Sequence, residues 1–358
     1  MAHEHSSHAP HTGQAGEQQS RGVHLVGSVP LKDAEAVFRE ASATLGGRLR
    51  RLPDGETGIR SNWVSWQREV FAIHPLFEQQ PPEPNAYVPR SHFKLRSQVS
   101  PGEIRFDRLG YADVAKASYA TFASLKQTGV IPASVRFLVC LPTPLAPVAA
   151  FVAPRDQAAV EPGYEAAMLA ELQQICAAIP HDQLAIQWDT AIEFGILEGL
   201  TPSSLTNPKA DIVARLLRIG ASVPTDVELG YHLCYGDAGH KHFKEPEDTS
   251  KLVEIANAVA AGLTRPLNWI HLPVPRNRSD DAYFAPLKQL HLHPETELYL
   301  GLVHFTDGVE GTRQRIAAAQ RTVADFGIAT ECGMGRRSPE TISDLLRIHS
   351  EVAAPVAG

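Results

Sequence analysis

The stretch Asp226-Val-Glu-Leu-Gly-Tyr-His-Leu-Cys234 is a largely apolar run that ends in a histidine and a cysteine. Its composition predicts a β-strand. Side chains two positions apart on a strand point to the same side, so we expect His232 and Cys234 to emerge together at its carboxyl end. Another cysteine, Cys332, ends a second apolar run about a hundred positions later. Two thiolates and one imidazole are ligands that Zn²⁺ prefers, provided that the fold brings these runs together.

Eight runs of this kind alternate with helical stretches along the chain. Such alternation predicts a parallel sheet, and eight units predict an α/β fold of the (β/α)₈ TIM barrel type. Several runs are continuously apolar, as expected when both faces of a sheet are buried. The predicted strands are residues 23–27, 48–52, 135–141, 184–188, 226–234, 267–272, 298–304 and 328–332. The predicted helices are residues 32–45, 63–71, 111–127, 164–179, 209–219, 249–261 and 311–325.

The chain has 358 residues, of which 43% are hydrophobic, and this is enough for one large barrel. We expect residues 22–358 to form a single TIM-barrel domain, with an insertion after the second strand that runs to about residue 132. Residues 1–21 are polar and rich in histidine (His3, His5, His8, His11), so they predict a disordered tail.

The composition also excludes several classes of protein. A net charge of -7 argues against nucleic acid as the main partner. No apolar run is long enough to cross a membrane, and the N-terminus lacks the pattern of a secretory signal. Four cysteines in so long a chain are not a disulfide framework. The expected setting is therefore the reducing cytoplasm.

Polar side chains recur at the predicted carboxyl ends of the strands, which is where a TIM barrel carries its active site. We expect the barrel to gather them around one mouth. They are Gly27, Ser28, Asp54, Glu56, Thr143, Asp189, His232, Cys234, His271, His304 and Cys332.

The candidate zinc ligands are His232, Cys234 and Cys332, and the best fourth candidate is His271 at the end of the next strand. His271 either binds the metal directly or orients a ligand from behind. A zinc centre with two thiolate ligands is soft and can hold a substrate thiol as a thiolate, which favours alkyl transfer to sulfur. Activation of water for hydrolysis, or of a carbonyl or thioether for a lyase reaction, is the alternative.

Three carboxylates and one arginine are the other candidates for ligand contacts. Asp54, Glu56 and Asp189 form either an acid/base set or a site for a cationic amine, and the simpler reading is amine recognition. Arg336, which is followed by a second arginine, follows Cys332 at the mouth and can bind a carboxylate or phosphate with two parallel hydrogen bonds.

These residues resemble the C-terminal catalytic barrel of cobalamin-independent methionine synthase, which is itself similar in fold to uroporphyrinogen decarboxylase. The resemblance covers residues 22–350, without the N-terminal half of the full-length synthase. Five segments carry it. They are Val26-Gly27-Ser28, Asp54-Gly55-Glu56, Ile186-Gln187-Trp188-Asp189, His232-Leu233-Cys234 and Cys332-Gly333.

The resemblance implies a role for each segment. The first is similar to an Ile-Gly-Ser turn that holds the substrate carboxylate, here through Gly27 and Ser28. The second and third imply that Glu56 and Asp189 grip the substrate amino group. The last two match the zinc-binding His-x-Cys and Cys-Gly.

The chain departs from this family at three places. Ile270-His271 occupies the position of the family's glutamate zinc ligand. His304-Phe305-Thr306-Asp307 replaces Asp-Ile-His-Ser, and His304 is a candidate to replace the histidine that protonates the folate leaving group. No tryptophan for folate stacking follows the third strand, where Phe151 is the only aromatic residue.

Three hypotheses follow. The leading one is a zinc-dependent methyl or alkyl transferase that acts on a small amino-acid-like thiol, with a folate-type or another methyl donor. The second keeps the zinc ion but uses metal-activated water in a lyase or hydrolase reaction. The third is a barrel that binds a metal or ligand without catalysis.

Overall fold

The computed structural model describes residues 20–82, 91–97 and 99–356. Seven parallel strands form its central sheet. In chain order the strands are β1 (Ser20–Arg21), β2 (Arg51–Pro53), β3 (Phe77–Pro82), β4 (Ser91–Leu95), β5 (Arg136–Pro142), β6 (Leu184–Thr190), β7 (Glu228–Leu233), β8 (Trp269–Pro273), β9 (Glu297–Val303), β10 (Gly327–Thr330) and β11 (Ala353–Ala354). The central sheet runs β2, β5, β6, β7, β8, β9, β10, so each strand pairs with the next one added along the chain.

Helices connect these strands, as the alternating pattern predicts. They are α1 (Ala34–Leu45), α2 (Arg68–Ala72), α3 (Tyr111–Gln127), α4 (Leu145–Phe151), α5 (Pro154–Ala178), α6 (Ile192–Leu197), α7 (Pro208–Ala221), α8 (Ser250–Gly262), α9 (Asp281–Phe284), α10 (Gly308–Gln320) and α11 (Ile342–Val352). Short 3₁₀ segments lie at Gly46–Arg48, Gly58–Gln67, Pro101–Glu103, His181–Gln183, Ala285–Gln289 and Pro339–Thr341. No helix among the described residues is long and apolar enough to cross a membrane.

The predicted first strand, at residues 23–27, is not a regular strand in the structure. Val23 instead makes isolated parallel bridges to Leu49 and to Ile328. Leu49 lies just before the edge strand β2, and Ile328 belongs to the opposite edge strand β10, so the sheet curls until this segment touches both edges. Gly22, with a φ of +83°, turns the chain immediately before this segment.

The predicted disordered tail lies mostly outside the described residues, since the description begins at Ser20. Its last two residues, Ser20–Arg21, form β1 and pair in parallel with Ala353–Ala354. The prediction of disorder up to residue 21 is therefore wrong for these two residues, whose backbone hydrogen bonds are taken up by the other end of the chain.

The insertion after β2 differs from its prediction in two ways. The helix predicted at residues 63–71 is a 3₁₀ segment, Gly58–Gln67, that is broken at Asn62 and Trp63 and then continues as α2. The antiparallel hairpin of β3 and β4, which periodicity did not indicate, packs against the barrel through a bridge from Phe93 to Val152. The predicted helix at residues 111–127 is present as α3.

The register of the central sheet aligns its polar side chains. All residues of β6 are buried, as the continuous apolar run predicts for a strand covered on both faces. Across neighbouring strands Asp189 pairs with His232, and His232 pairs with His271. These three residues therefore form one row near the carboxyl ends of β6, β7 and β8.

Candidate metal centre

The side chains of His232, Cys234 and Cys332 converge at the carboxyl ends of β7 and β10. One potential ligand atom from each lies within 4.8 Å of the other two. The two Sγ atoms are 3.6 Å apart, which is much longer than a disulfide bond. Two sulfur ligands about 2.3 Å from a tetrahedral zinc ion would be about 3.8 Å apart, so the observed spacing suits a shared metal ion.

The imidazole of His232 has one engaged nitrogen and one that lacks a partner. Its Nδ1 is 2.6 Å from His271 Nδ1. Its Nε2 is buried and has no hydrogen-bond partner among the described residues. A buried nitrogen without a partner is costly unless a ligand completes it, so this atom fits a role as the nitrogen donor of a metal site.

His271 lies behind His232 rather than in the group of three. Its Nε2–H donates to the backbone carbonyl of Thr330 at 3.1 Å, because a carbonyl can only accept. Burial lowers the pKa of His271 to about 3, so the ring is neutral and its Nδ1 can only accept. His232 must then donate from Nδ1, which leaves the lone pair of its Nε2 towards the two cysteines. The structure thus places His271 where it fixes the tautomer of a ligand.

The surroundings of the two thiols, Cys234 and Cys332, determine how easily they lose their protons to a metal ion. The Gly236 N–H donates to Cys234 Sγ at 3.2 Å. The hydrogen bond between the two thiols and burial both raise the pKa of Cys332 well above its usual value, so its proton is hard to remove without a cation. A metal ion would displace these protons. The donor set and the orphaned nitrogen of His232 therefore both fit zinc.

A cavity of about 580 Å³ opens beside this group. Its wall includes seven of the residues that the sequence singled out, which are Ser28, Glu56, Asp189, His232, Cys234, Cys332 and Arg336. Apolar residues line much of the remainder, among them Ala149, Ala150, Ile192, Leu200 and Phe243. A concave, mostly apolar site with a few convergent polar groups is typical of small-molecule binding.

Glu56 and Asp189 form an acidic pair on the cavity wall. Burial raises the pKa of Glu56 to about 7, and Asp54 adds to this shift while Arg60 opposes it. Burial and the charge of Glu56 raise the pKa of Asp189 well above its usual value. Gly27 lies behind the pair, because a Cβ there would be 3.1 Å from Glu56 Oε2. Two carboxylates that are costly to ionise favour a cationic ligand.

Gln187 makes four hydrogen bonds to nitrogen and oxygen atoms, and one of them holds Asp189 in place. Its Oε1 accepts from His24 Nε2 at 2.7 Å and from Trp269 Nε1 at 3.2 Å. Its Nε2 donates to Asp189 Oδ1 at 2.8 Å and to the Val26 carbonyl at 2.6 Å. Since an indole N–H can only donate, Gln187 Oε1 must be the atom that faces Trp269, which fixes the orientation of the amide. The NH₂ group of Gln187 therefore points to Asp189 and donates to its carboxylate.

The loop after β10 brings Ser28 and Arg336 to the same wall. Gly335 N–H donates to Ser28 Oγ at 3.1 Å, and a Cβ on Gly335 would be 2.4 Å from the Ser61 carbonyl. The loop after β10 therefore packs against the 3₁₀ segment of the insertion next to Asn62 and Trp63, where that segment is broken. The Ser28 hydroxyl keeps its own hydrogen for a ligand, and Arg336 lines the cavity while its Nε donates to the Asp237 carbonyl at 2.9 Å.

Asp54 and His304 are not brought to the cavity wall. Asp54 pairs with Arg60 Nη2 at 2.7 Å and accepts from Ser118 Oγ. His304 donates from Nε2 to the Val274 carbonyl at 2.8 Å, and its Nδ1 faces Glu331 at 3.6 Å. Burial lowers the pKa of His304 to about 3, which suits a structural histidine better than a proton donor.

Two acidic residues near the site, Asp237 and Glu331, are not predicted as site residues by any pattern in the sequence. Asp237, whose position suggests an ordinary polar loop, is 2% exposed and lines the cavity. Glu331 is buried between His304 and His242, with its Oε2 3.7 Å from His242 Nε2. Glu331 lies in the bend that follows β10, one residue before the candidate ligand Cys332.

The arrangement predicts how His271 affects metal binding. We expect His271→Ala to weaken zinc binding by about 10- to 100-fold, because His232 loses the acceptor that fixes its tautomer. His271→Gln should recover part of the affinity, since an amide oxygen can accept the same hydrogen. Competition with a chromophoric chelator measures both.

His349→Ala is the matched control, because His349 is also buried and donates to a backbone carbonyl far from the site. X-ray absorption of the zinc-loaded protein should show one imidazole ligand. Two imidazole ligands would mean that His271 binds the metal itself.

No protein-family model and no curated protein matches the chain. Several solved structures share its fold. A B12-independent methionine synthase from Shewanella sp. W3-18-1, in complex with selenomethionine, is 15% identical with a TM-score of 0.58, covering 93% of this chain and 97% of that one. A putative vitamin-B12 independent methionine synthase from Listeria monocytogenes is 16% identical with a TM-score of 0.56, covering 93% and 98%.

A methyltransferase from Methanosarcina mazei is 12% identical with a TM-score of 0.55, and the match covers 95% of each chain. These structures confirm the resemblance of fold that the five sequence segments predict.

Proposed function

We propose that this protein is a zinc-dependent methyl or alkyl transferase that acts on a small amino-acid-like thiol. The observation that supports the proposal most strongly is that a candidate metal site and an acidic pair line the same cavity. A set of two thiols and an imidazole with an orphaned nitrogen lies on the same wall as an acidic pair. The fold neighbours support it, since two are described as methionine synthases and one as a methyltransferase.

The metal set suits sulfur chemistry. His232, Cys234 and Cys332 would hold the ion, which when bound would keep the sulfur of the substrate ionised near neutral pH. Two thiolate ligands cancel the charge of Zn²⁺ and lower its Lewis acidity, so the site favours a thiol over water. The described residues offer three ligands in this group, and a catalytic zinc site keeps one further position open.

The remaining lining residues suit an α-amino acid. Glu56 and Asp189 would pair with its ammonium group, as their raised pKa values favour a cation beside them. Ser28 and Arg336 would bind its carboxylate, one by a hydroxyl and the other by a guanidinium. The selenomethionine held by the Shewanella neighbour supports an amino-acid-like substrate.

X-ray absorption at the zinc edge tests the proposal. We expect the number of sulfur ligands to rise from two to three when homocysteine is added, because its thiolate takes the open position. Homoserine, which has a hydroxyl in place of the thiol, is the matched control and should leave the count at two.

An unchanged sulfur count with homocysteine would contradict the transferase proposal. A light-atom ligand retained at saturating thiol would favour instead the hydrolase or lyase reaction with metal-activated water.

A further inference from the structure

The cavity has room for more than one small substrate. Its volume of about 580 Å³ lies within the range of sites that enclose drug-sized ligands, about 300–1,000 Å³. An amino-acid thiol bound between the cysteines and the acidic pair would occupy one part of it. The rest must take the molecule that gives up the methyl group, and its lining indicates the chemistry of that molecule.

The lining has more acidic than basic side chains. Glu56, Asp189 and Asp237 contribute carboxylates, and Arg336 is the one arginine or lysine in the wall formed by the described residues. Zinc with two thiolates is neutral, and an amino-acid thiolate adds one further negative charge. A second substrate with a positive charge therefore lowers the electrostatic energy of the filled cavity, and an anionic one raises it.

Asp237 is the carboxylate that the amino-acid site does not use. It is 2% exposed and lies on the cavity wall. Its Oδ1 has no hydrogen-bond partner among the described residues. Its Oδ2 is 3.7 Å from Arg336 Nη2 and 3.9 Å from His240 Nδ1, so these contacts are loose. A buried carboxylate oxygen without a partner indicates that a ligand completes it.

Trp63 lines the same cavity, and among the described residues Phe243 is the other large aromatic side chain in its wall. Trp63 has a φ of +47° and a ψ of −119°, a conformation that is strained for any residue with a side chain. Such strain persists where neighbouring contacts impose it, often at ligand sites. Aromatic side chains are the usual receptor for a methylated cation, and a carboxylate in the same cavity adds to the attraction.

Among the described residues, the cavity wall does not include His304, the acid predicted for the leaving group. His304 donates to the Val274 carbonyl and does not line the cavity. His92 lines the cavity from β4 and is partly exposed. A donor whose leaving group departs as a neutral molecule with its bonding electron pair needs no such acid.

We propose that this second region of the cavity binds a cationic methyl donor, a sulfonium or quaternary ammonium compound, with Trp63 and Asp237 as its contacts. The inference rests on the proposed function and specifies its donor. The thiol first loses its proton to solvent. The thiolate then attacks the methyl carbon, an S–C bond forms, and the bond from carbon to the onium atom breaks. The bonding pair stays on that atom, which leaves as a neutral thioether or tertiary amine.

Calorimetry of the zinc-loaded protein tests the donor site without turnover. Glycine betaine and tert-butylacetic acid have the same shape, but only betaine carries the positive charge. We expect betaine to bind at least about tenfold more tightly, and Trp63→Leu or Asp237→Asn to remove most of that preference. Asp325→Asn, which removes an exposed carboxylate elsewhere, should leave the preference unchanged.

Transfer assays with isotope-labelled methyl groups separate the possible sources. S-methylmethionine and glycine betaine represent the sulfonium and ammonium donors, methyltetrahydrofolate represents the neutral-amine donor, and homocysteine is the acceptor. We expect one of the two cations to yield labelled methionine. Methyltetrahydrofolate should transfer weakly or not at all.

Equal binding of betaine and of tert-butylacetate, which has the same shape but no quaternary nitrogen, would overturn the inference. Transfer from methyltetrahydrofolate that exceeds transfer from either cation would overturn it as well, while the proposed function stood. Failure of the proposed function has a different signature, because homocysteine would then add no sulfur to the zinc in the absorption spectrum.

Discussion

Cys234→Ser and Cys332→Ser should each leave less than about 0.2 equivalents of zinc on the protein, against about one equivalent in the unsubstituted chain. Each substitution removes one of the two sulfur donors that lie 3.6 Å apart. A serine hydroxyl is neutral and hard at neutral pH, so it does not replace a thiolate on zinc. Metal analysis after purification under reducing, chelator-free conditions measures the loss.

Cys176→Ser is the matched control for this experiment. Cys176 is also a buried thiol, but it lies on α5 and outside the metal group. It should retain the full complement of zinc. A zinc content that is unaffected by the loss of Cys234 or Cys332 would refute the assignment of these ligands.

Asp189→Asn should weaken the binding of homocysteine to the zinc-loaded protein by about 30-fold or more. Removing one partner of a buried, hydrogen-bonded charge pair costs about 2–5 kcal/mol, and every 1.4 kcal/mol is about tenfold in affinity. The amide keeps the shape of the side chain but removes the negative charge that would pair with the substrate ammonium group. Glu56→Gln should act in the same direction. Calorimetry measures both.

The desamino analogue of homocysteine controls for effects on the metal site. It should bind the unsubstituted protein weakly, and Asp189→Asn should not weaken it further, because it has no ammonium group to lose. An equal loss of affinity for homocysteine and for this analogue would show that Asp189 acts on the zinc site or on the fold instead.

The parallel strands were predictable because burial on both faces leaves a continuous apolar run. β6 and β9 illustrate this, since each lies within a few residues of its predicted range. The hairpin strand β3, Phe-Glu-Gln-Gln-Pro-Pro, was not predictable because it is polar and has two prolines. The segment at 23–27 looks like a strand locally, but strand assignment depends on partners that the sequence does not display.

The positions of the candidate site residues were more predictable than their roles. The period of a strand is enough to place His232 beside Cys234, and the barrel order brings Cys332 near them. The role of His271 depends on which of its nitrogens a distant carbonyl, that of Thr330, engages. The predicted role of His304 as a proton donor depends in the same way on a distant group, because its Nε2 donates to the Val274 carbonyl. Side-chain hydrogen bonds between segments far apart in sequence leave no local pattern.

The hydrogen bonds of Gln187 have a consequence for how this cavity can change over evolution. The amide ties Asp189 to His24 and Trp269, which are buried in the barrel interior. A substitution that redirected Asp189 would leave donors or acceptors of this interior without partners, so it would lower stability as well as change the ligand. Two small residues that also line the cavity, Ala149 and Ala150, have no polar side-chain atoms and therefore no such link. Substitutions at Ala149 and Ala150 can therefore reshape the cavity without disturbing these hydrogen bonds, whereas substitutions that move Asp189 cannot.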